Sequence, residues 1–279
     1  MNGRAFIKMH GLGNDFVVID ARQEPFNPTE KQSRLIADRR FGIGCDQFII
    51  IEPPVHQDAD IFMRIRNADG GEVGACGNAT RCIASLIMQE AESEHVTIET
   101  LAGLLHAKQS HKNLVTVDMG PARLEWQEIP LTEERDTLNI GIKLPPLKNP
   151  VGVNMGNPHA VFFVEDAEAI ELDALGSRLE HHPLFPERAN IGVAALIGKN
   201  HLRLRVFERG VGITSACGTG ACAAAVAAAR RGLTDREVQV DLDGGSLQIN
   251  WLENGQVLMT GPVSIAFRGE IAPELLNVS

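Results

Sequence analysis

Residues 67–86 read NADGGEVGACGNATRCIASL, and residues 208–226 read ERGVGITSACGTGACAAAV. In both stretches a glycine-rich loop leads to Ala-Cys-Gly, and an apolar run typical of a helix follows. An alternating apolar pattern typical of a strand precedes each copy, and Cys76 and Cys217 occupy the same place in the two copies. The repeat predicts two copies of one folding unit, each with one thiol at the start of a helix.

A second motif repeats at nearly the same offset. Gly13-Asn14 and Gly156-Asn157 both precede an apolar strand, and they lie 143 positions apart (157 minus 14), whereas the two cysteines lie 141 apart (217 minus 76). Two motifs that repeat at nearly one offset predict an internal duplication. Many short strands and only about four helices indicate an α+β protein made of two similar halves.

The position of the two cysteines favours reactive thiols. A cysteine just before a helix lies near unpaired backbone N–H groups and the positive end of the helix dipole. Such positions lower a thiol pKa from about 8.5 into the range of roughly 3.5–7.5. Gly77 and Gly218 allow the backbone to approach a bound anion. Each half is therefore expected to hold a thiol beside an anion site, and two facing halves would place one carboxylate between two thiols.

Local signals predict how several elements begin and end. Asn27-Pro28-Thr29-Glu30 predicts the start of a helix with Asn27 as its cap, running to about Arg39. Asp243-Gly244 and Asn254-Gly255 predict hairpin turns between strands near the end of the chain. The proline-rich segment 120–150 is expected to connect the two halves.

Composition excludes several classes of protein. A chain of 279 residues with a net charge of −10 has length for two domains and no basic surface for nucleic acid. Its first residues lack the apolar core of a signal peptide, and no run approaches the length of a membrane span. Five cysteines, an odd number, do not form a disulfide scaffold, so a reduced, cytoplasmic protein is expected.

Other interpretations of the cysteines and loops remain open from the residues alone. Most free cysteines are buried and inert, and Cys45, Cys82 and Cys222 are assigned to the core. A four-cysteine zinc site is disfavoured because the spacing within each pair is longer than usual. A phosphate-binding loop is disfavoured because Gly210-Val-Gly-Ile-Thr-Ser ends in serine where a dinucleotide motif has glycine. Several asparagines, His159 and the Glu208-Arg209 pair also have purely structural interpretations.

Six motifs carry a resemblance to a known family. They are KMHGLGNDFVVID at 8–20, RFGIGCDQ at 40–47, NADG at 67–70, CGN at 76–78, MGNPH at 155–159, and ERG at 208–210 with ACGTG at 216–220. In this order and over nearly the whole chain, they resemble the diaminopimelate epimerase family, whose enzymes act without a cofactor in lysine and peptidoglycan synthesis.

The resemblance implies a fold, a reaction and an assembly. The expected fold has two similar domains, each a mostly antiparallel sheet curled around a central helix, with the active site in the cleft between them. The domains are predicted as 1–119, completed by 263–279, and 120–262. The implied reaction converts LL-2,6-diaminopimelate to the meso form without cofactor or metal, in a cytoplasmic homodimer that binds neither nucleic acid nor membrane.

The resemblance also implies a role for each matched residue. Cys76 and Cys217 are the implied acid–base pair. Gly77, Asn78, Gly218 and Thr219 are implied to hold the reacting carboxylate at the helix N-termini. The implied contacts to the other charged groups of the substrate are Asn14, Gln47, Asn67, Asn157, Asn190, Glu208 and Arg209. His159 and Glu208 are implied to adjust the pKa values of the thiols.

Some positions depart from the usual pattern of the family. Gly74, Ala75, Ala79, Gly192 and Ile213 stand where many members carry other residues, and Phe267 stands at a tyrosine near the family's dimer contact. None of these departures removes a matched catalytic residue. These departures concern the pKa values of the thiols, the choice of substrate and the dimer contact.

The reaction also follows from chemistry. Inverting an α-carbon requires removal of a proton from one face and delivery of another to the opposite face, and two opposed thiols do this directly. Two alternatives remain: another cofactor-independent racemase on the same fold, such as one for histidine or proline, and an amino-acid-binding protein without catalysis. Glu208 with Arg209 favours a substrate that carries a second ammonium and a second carboxylate.

Overall fold

More residues lie in strands than in helices. The computed structural model describes residues 3–111 and 113–276. The chain divides into two compact units: unit 1 comprises the chain up to Val117 and the segment from Gly261 onward, and unit 2 comprises Asp118–Thr260. Residues 277–279 of the predicted C-terminal segment lie outside the described residues.

Unit 1 contains a mixed sheet with two helices inserted in its first part. Strands β1 and β2 pair antiparallel, β2 and β3 parallel, β3 and β4 antiparallel, β4 and β6 parallel, and β6, β7 and β8 antiparallel, while β5 pairs with β4. The elements are β1 Arg4–Gly11, β2 Asn14–Asp20, α1 Glu30–Ala37, β3 Gln47–Glu52, β4 Ile61–Asn67, β5 Glu72–Val73, α2 Gly77–Ala91, β6 His95–Thr100, β7 Gly103–His111 and β8 Leu114–Pro121.

Unit 2 repeats this order of elements. After a short hairpin of β9 and β10, strands β11 to β18 pair in the sequence of parallel and antiparallel contacts seen for β1 to β8. The elements are β9 Lys143–Leu144, β10 Leu147–Lys148, β11 Val151–Asn154, β12 Pro158–Val164, α3 Leu172–Glu180, β13 Asn190–Gly198, β14 His201–Glu208, β15 Gly212–Thr214, α4 Gly218–Arg230, β16 Glu237–Leu242, β17 Gly245–Trp251 and β18 Gln256–Pro262.

The last elements return to unit 1. Strand β19 (Ser264–Ile271) pairs antiparallel with β1, and the short helix α5 (Pro273–Leu276) follows it. Leu276 and Ile271 are buried in the same apolar cluster as Ile36 of α1 and Phe48 of β3. The C-terminal segment therefore contributes to the core of unit 1, far in sequence from the rest of that core.

The duplication extends to the register of the strands. Phe48 pairs with Arg66 across β3 and β4, and Ile191 pairs with Phe207 at the matching place across β13 and β14. Across the parallel pairs, Phe16 faces Gln47 and His159 faces Asn190. Because a slip of one residue would turn every side chain to the other face of the sheet, this shared register places equivalent residues at equivalent points of the two units.

The central helices α2 and α4 pack inside the sheets. Helix α4 contacts β11, β12, β13, β14, β16 and β17, and ten of its 13 residues are buried. Its run of alanine and glycine suits this position, because small side chains let the surrounding strands approach the helix closely. Helix α2 contacts β1, β6 and β7 with residues such as Cys82, Ile83 and Ile87. The predicted sheet around a central helix is confirmed.

The predicted cap of α1 is wrong by two residues. Thr29, not Asn27, caps the helix: its hydroxyl accepts from the backbone N–H of Gln32, and the Gln32 side chain accepts from the N–H of Thr29. This reciprocal pair is a capping box, which satisfies two donors at once. The helix therefore begins after Thr29, where the Thr29 hydroxyl and the Gln32 side chain accept from these two backbone N–H groups.

Candidate active site

Cys76 caps the N-terminus of α2 in unit 1. Its backbone is extended (φ −147°, ψ 115°), and its carbonyl oxygen accepts from the N–H and the hydroxyl of Thr80 at 2.8 Å each. The thiol is half-buried, and it donates to Oδ1 of Asn14 over 3.7 Å. The predicted place of Cys76 at the start of a helix is therefore observed, beside one of the predicted site residues.

The predicted amides of unit 1 form two contacting pairs. Asn78, the second residue of α2, donates from Nδ2 to Oδ1 of Asn14 at 3.1 Å. Gln47 donates from Nε2 to Oδ1 of Asn67 at 3.1 Å, across the antiparallel pair β3 and β4. The buried Oε1 of Gln47 has no hydrogen-bond partner within the described part of the chain. A buried acceptor without a partner costs free energy, so this atom is suited to receive a donor from a ligand.

Cys217 occupies the equivalent cap of α4 in unit 2, and it is only 4% exposed. Its thiol lies 3.6 Å from the hydroxyl of Thr219. Burial raises the pKa of Cys217 well above its usual range, and the charge of Glu208 raises it further against hydrogen bonds from Thr219 and Gly220. The pKa expected from the helix terminus alone was a lowered one, and for this thiol that expectation is wrong because desolvation and a neighbouring carboxylate oppose the thiolate.

Glu208 is fixed beside the thiol by a second hydroxyl. The side chain of Thr214 on β15 donates a short hydrogen bond to Oε1 of Glu208 at the end of β14. The hairpin of β14 and β15 thus holds the carboxylate that acts on Cys217. The structure places Glu208, Cys217, Gly218 and Thr219 together in unit 2.

His159 is buried and neutral. Burial lowers its pKa to about 3, and the cation of Arg209 acts in the same direction. Nε2 lies 2.9 Å from Oδ1 of Asn157, while Nδ1 has no partner among residues 3–111 and 113–276. A neutral ring that faces an amide oxygen carries its proton on Nε2. The predicted effect of His159 on the thiols stays a prediction, whereas its contact with Asn157 is observed.

Asn190 positions the start of the loop that carries Arg209. Its Nδ2 donates to the carbonyl of Pro158 at 3.0 Å, and its Oδ1 accepts from the N–H of Arg209 at 3.0 Å. The Arg209 side chain is exposed and donates from Nη1 to the carbonyl of Glu187 at 3.0 Å. The guanidinium therefore lies at the surface of unit 2, where a ligand anion has access to it.

The remaining cysteines are core residues. Cys45, Cys82 and Cys222 are buried with at most 2% exposure. Burial raises the pKa of Cys45 to about 11 and that of Cys82 to about 12. Their assignment to the core is confirmed. Within residues 3–111 and 113–276 no group of three or more His, Cys, Asp or Glu side chains is placed to hold a metal ion.

Sequence relatives decide the family. A sequence model described as diaminopimelate epimerase matches residues 6–125 and 151–266. The chain is 58% identical over 273 residues to a diaminopimelate epimerase of Rhodospirillum centenum, a match that covers 98% of this chain and 94% of the relative. The chain belongs to the diaminopimelate epimerase family. A diaminopimelate epimerase of Acidiphilium cryptum is 52% identical, with 98% of each chain covered.

Solved structures of other proteins share the fold of this family member. A hydroxyproline epimerase from Agrobacterium vitis superposes with a TM-score of 0.69 at 15% identity, over all of this chain and 95% of that one. A phenazine biosynthesis protein of the PhzF family from Bacillus anthracis gives a TM-score of 0.70 at 18% identity, over 97% and 99% of the two chains. At these identities the likeness concerns the fold alone.

The two matched segments of the family contain every predicted site residue. Residues 126–150 fall between the segments, and they include the hairpin of β9 and β10. Among the described residues, the family member has no helix that is both long and apolar enough to span a membrane.

Several charged residues next to the site were missed by sequence reasoning. Lys8 is 8% exposed within β1, and its ammonium lies 2.6 Å from the carboxylate of Asp15. Arg39 contacts both Asp15 and Asp46 at 2.7 Å, and Arg81 of α2 is fully buried. A charge within an apolar strand and an arginine on the buried face of a helix were the available signals, since such charges are rarely buried without partners.

Proposed function

We propose that this chain inverts one α-carbon of LL-2,6-diaminopimelate to give the meso isomer, using two cysteines and no cofactor, in the synthesis of lysine and peptidoglycan precursors. Membership of the family makes the chain an isomerase. The observation that carries the mechanism is the equivalent position of Cys76 and Cys217, each the N-cap of the central helix of its unit.

The two thiols divide the proton transfers. One sulfur, as a thiolate, removes the α-proton from one face of the carbon, and the other, as a thiol, delivers its proton to the opposite face. The reverse reaction exchanges the two roles. Burial and Glu208 keep Cys217 as a thiol, which is the donating form, and they make its thiolate a stronger base once formed. A strong base suits the weakly acidic α-proton of an amino acid.

The helix N-termini support the carbanion. As the α-proton leaves, negative charge moves into the α-carboxylate, and N–H groups aimed at that carboxylate stabilise the charge as it develops. The first residues of α2 and α4 carry N–H groups that cannot bond within their helices. In this proposal Gly77, Asn78, Gly218 and Thr219 hold the reacting carboxylate.

The distal end of diaminopimelate provides substrate selection. Glu208 and Arg209 supply one anionic and one cationic group, which match the second ammonium and the second carboxylate of this substrate. Gln47 contributes a buried oxygen that has no partner within the described chain. The amides proposed to complete the binding of the charged groups are Asn14, Asn67, Asn157 and Asn190.

The proposal includes a homodimer that forms through β19. Seven of the eight residues of this strand are exposed, among them Ile265 at 44% and Phe267 at 50%. An exposed strand with apolar side chains is a ready surface for pairing with another chain. We further propose a cytoplasmic location, and domains at 1–119 with 263–279 and at 120–262.

A substrate panel tests the activity. The purified chain is expected to interconvert LL- and meso-diaminopimelate, whereas L-histidine, L-proline and trans-4-hydroxy-L-proline are expected to react at least 10²-fold more slowly, because they lack the distal charges. Chiral chromatography of each mixture measures the inversion. Inversion of proline or histidine at a comparable rate would establish a different racemase, and ligand binding without any inversion would establish a binding protein.

A further inference from the structure

A chain of hydrogen bonds crosses the Cys76 site from a buried cation to an anion. Arg81 donates from Nη2 to Oδ1 of Asn78 at 2.9 Å, and Asn78 donates from Nδ2 to Oδ1 of Asn14 at 3.1 Å. Asn14 in turn donates from Nδ2 to Oδ2 of Asp46 at 3.0 Å. The thiol of Cys76 donates to the same Oδ1 of Asn14.

The charges at the two ends fix the direction of this chain. A guanidinium only donates and an ionised carboxylate only accepts, so each amide between them has one orientation that satisfies both neighbours. The carboxylate of Asp46 lies 2.7 Å from the guanidinium of Arg39. With Nδ2 held by Asp46, Asn14 must turn Oδ1 toward Asn78 and Cys76. The orientation of each asparagine side chain therefore depends on its hydrogen-bond partners.

Unit 2 does not carry the residues of this hydrogen-bond chain at the equivalent positions. The positions equivalent to Asp46, Asn78 and Arg81 carry Ala189, Thr219 and Cys222. Asn157, the counterpart of Asn14, is held by its oxygen instead, because Oδ1 lies 2.9 Å from Nε2 of His159. Asn14 is thus held by both its nitrogen and its oxygen through side chains that have no equivalent in unit 2, and this chain of hydrogen bonds is particular to Cys76.

We infer that Asp46 and Arg81 are positioning residues that lock the carbonyl oxygen of Asn14 toward the Cys76 thiol. This role rests on the proposed function, in which Cys76 acts as acid and base. An oxygen acceptor stabilises the thiol and opposes the thiolate, so Asn14 acts on Cys76 in the direction in which Glu208 acts on Cys217. The two halves place different acceptors beside their thiols, an amide oxygen beside Cys76 and a carboxylate beside Cys217.

Substitution of Asp46 tests the inference because the amide in Asp46→Asn no longer fixes which end of the Asn14 amide faces Cys76. If its oxygen keeps the bond from Arg39 that Oδ1 of the carboxylate now accepts, its nitrogen takes the place of Oδ2, which now accepts from Asn14 and from the N–H of Asp15. Its Nδ2 then faces Asn14, which turns Oδ1 toward it and presents Nδ2 to Cys76. A donor stabilises the thiolate, so alkylation of Cys76 by iodoacetamide is expected to begin at lower pH. Peptide mapping reports Cys76 and Cys217 separately, and the Cys217 profile is expected to stay unchanged.

A conservative variant and a matched control separate positioning from general damage. Asp46→Glu keeps a group that only accepts, so its Cys76 profile is expected to stay near wild type. Asp38→Asn makes the same chemical change at a carboxylate that accepts from the N–H groups of Arg40 and Phe41, and it is expected to change neither profile. At the other end of the hydrogen-bond chain, Arg81→Lys retains a cationic donor. Arg81→Met removes this donor, and it is expected to shift the Cys76 profile.

Steady-state kinetics provides a second measurement on the same variants. A misplaced acid–base group can cost about 10²-fold in rate, and Asp46→Asn is expected to lose inversion of diaminopimelate on that order, chiefly in kcat. The inference is overturned if folded Asp46→Asn keeps the wild-type Cys76 profile, or if Asp46→Glu shifts it equally. If the wild-type protein does not invert diaminopimelate, the proposed function is refuted. A shifted Cys76 alkylation profile in Asp46→Asn would in that case still support the positioning role.

Discussion

The carboxylate of Glu208 faces the buried thiol of Cys217 and raises its pKa, both by its charge and by a hydrogen bond. Because Thr214 donates to the same carboxylate, the hairpin of β14 and β15 fixes the group that sets the protonation of this thiol. Cys217 is therefore a thiol at neutral pH, despite its place at the positive end of α4.

Replacing Glu208 with Gln should lower the pKa of Cys217. The change removes the negative charge that opposes the thiolate while the burial of the thiol remains. The pH dependence of Cys217 alkylation, followed by peptide mapping, is expected to move to lower pH. Glu187→Gln, an exposed change in the same unit, is the control. An unaltered Cys217 profile in Glu208→Gln would show that burial alone sets this pKa.

Single cysteine variants should divide the reaction between the two epimers. Replacing Cys76 or Cys217 with Ala removes one acid–base group, so inversion is expected to fall by at least the 10²–10⁴-fold that such a group contributes. In D2O the surviving thiol still removes and returns the proton on its own face. NMR of the recovered substrate should show deuterium in one epimer for one variant and in the opposite epimer for the other.

The buried cysteines provide the matched controls for that experiment. Cys45→Ala and Cys82→Ala alter core packing without touching a proposed catalytic group, and they are expected to retain inversion. The two-base mechanism fails if both single variants exchange the same epimer, or if either one inverts at the wild-type rate.

Replacing Arg209 with Met should impair the reaction of diaminopimelate specifically. The guanidinium is proposed to bind the distal carboxylate in an ion pair that the bound substrate buries, and loss of one partner of a buried charge pair costs about 2–5 kcal/mol. Steady-state kcat/KM is expected to fall accordingly. Arg178→Met, an exposed change on α3, serves as the control and should behave as wild type. Equal kcat/KM for Arg209→Met and wild type would remove Arg209 from the site.

An acidic residue on β19 should dissociate the proposed dimer. Phe267 is half exposed and packs edge-on against Phe6 at a centroid distance of 5.8 Å. Phe267→Asp places a charge on the apolar surface that a second copy would cover, so sedimentation velocity is expected to show monomer. Leu196→Asp changes a similarly exposed apolar residue of unit 2 and should leave the assembly as it is. A monomeric wild type would refute the dimer.

The Asp15 carboxylate should make stability depend on acid pH. Burial opposes its ionisation, but hydrogen bonds from Arg39 and Lys8 outweigh burial and hold the pKa of Asp15 well below 3.8. A lowered folded-state pKa contributes stability that is present above the unfolded pKa and is lost as pH falls through the folded one. The free energy of unfolding in urea is therefore expected to decline below about pH 4.

The variant Asp15→Asn isolates that contribution. It leaves the ammonium of Lys8 buried without its carboxylate, which costs about 3–5 kcal/mol at pH 7. The difference from wild type is expected to narrow as pH falls below about 4, where Asp15 of the unfolded wild-type chain begins to take up its proton while the folded chain does not. Asp58→Asn at an exposed position is the control. A difference that stays constant over the whole pH range would assign the effect to packing.

The sequence by itself determined the duplication, the class of fold and the position of the two thiols. These features depend on local patterns: alternating apolar residues for strands, glycine-rich loops, and Cys-Gly before an apolar helix. The resemblance over six motifs also identified the family. The domain limits and the roles of the matched residues stay predictions, because neither pattern nor resemblance measures a contact.

Only the tertiary structure decided the electrostatics of the site. A sequence shows that Cys217 precedes a helix, which lowers a thiol pKa, but it does not show that folding buries this thiol beside Glu208, which raises it. The carboxylate that holds Asn14 is 32 positions away in the chain, and the guanidinium that holds Asn78 lies on the buried face of α2. Burial and pairing of charges arise when distant segments pack, and they depend on distances that no local pattern specifies.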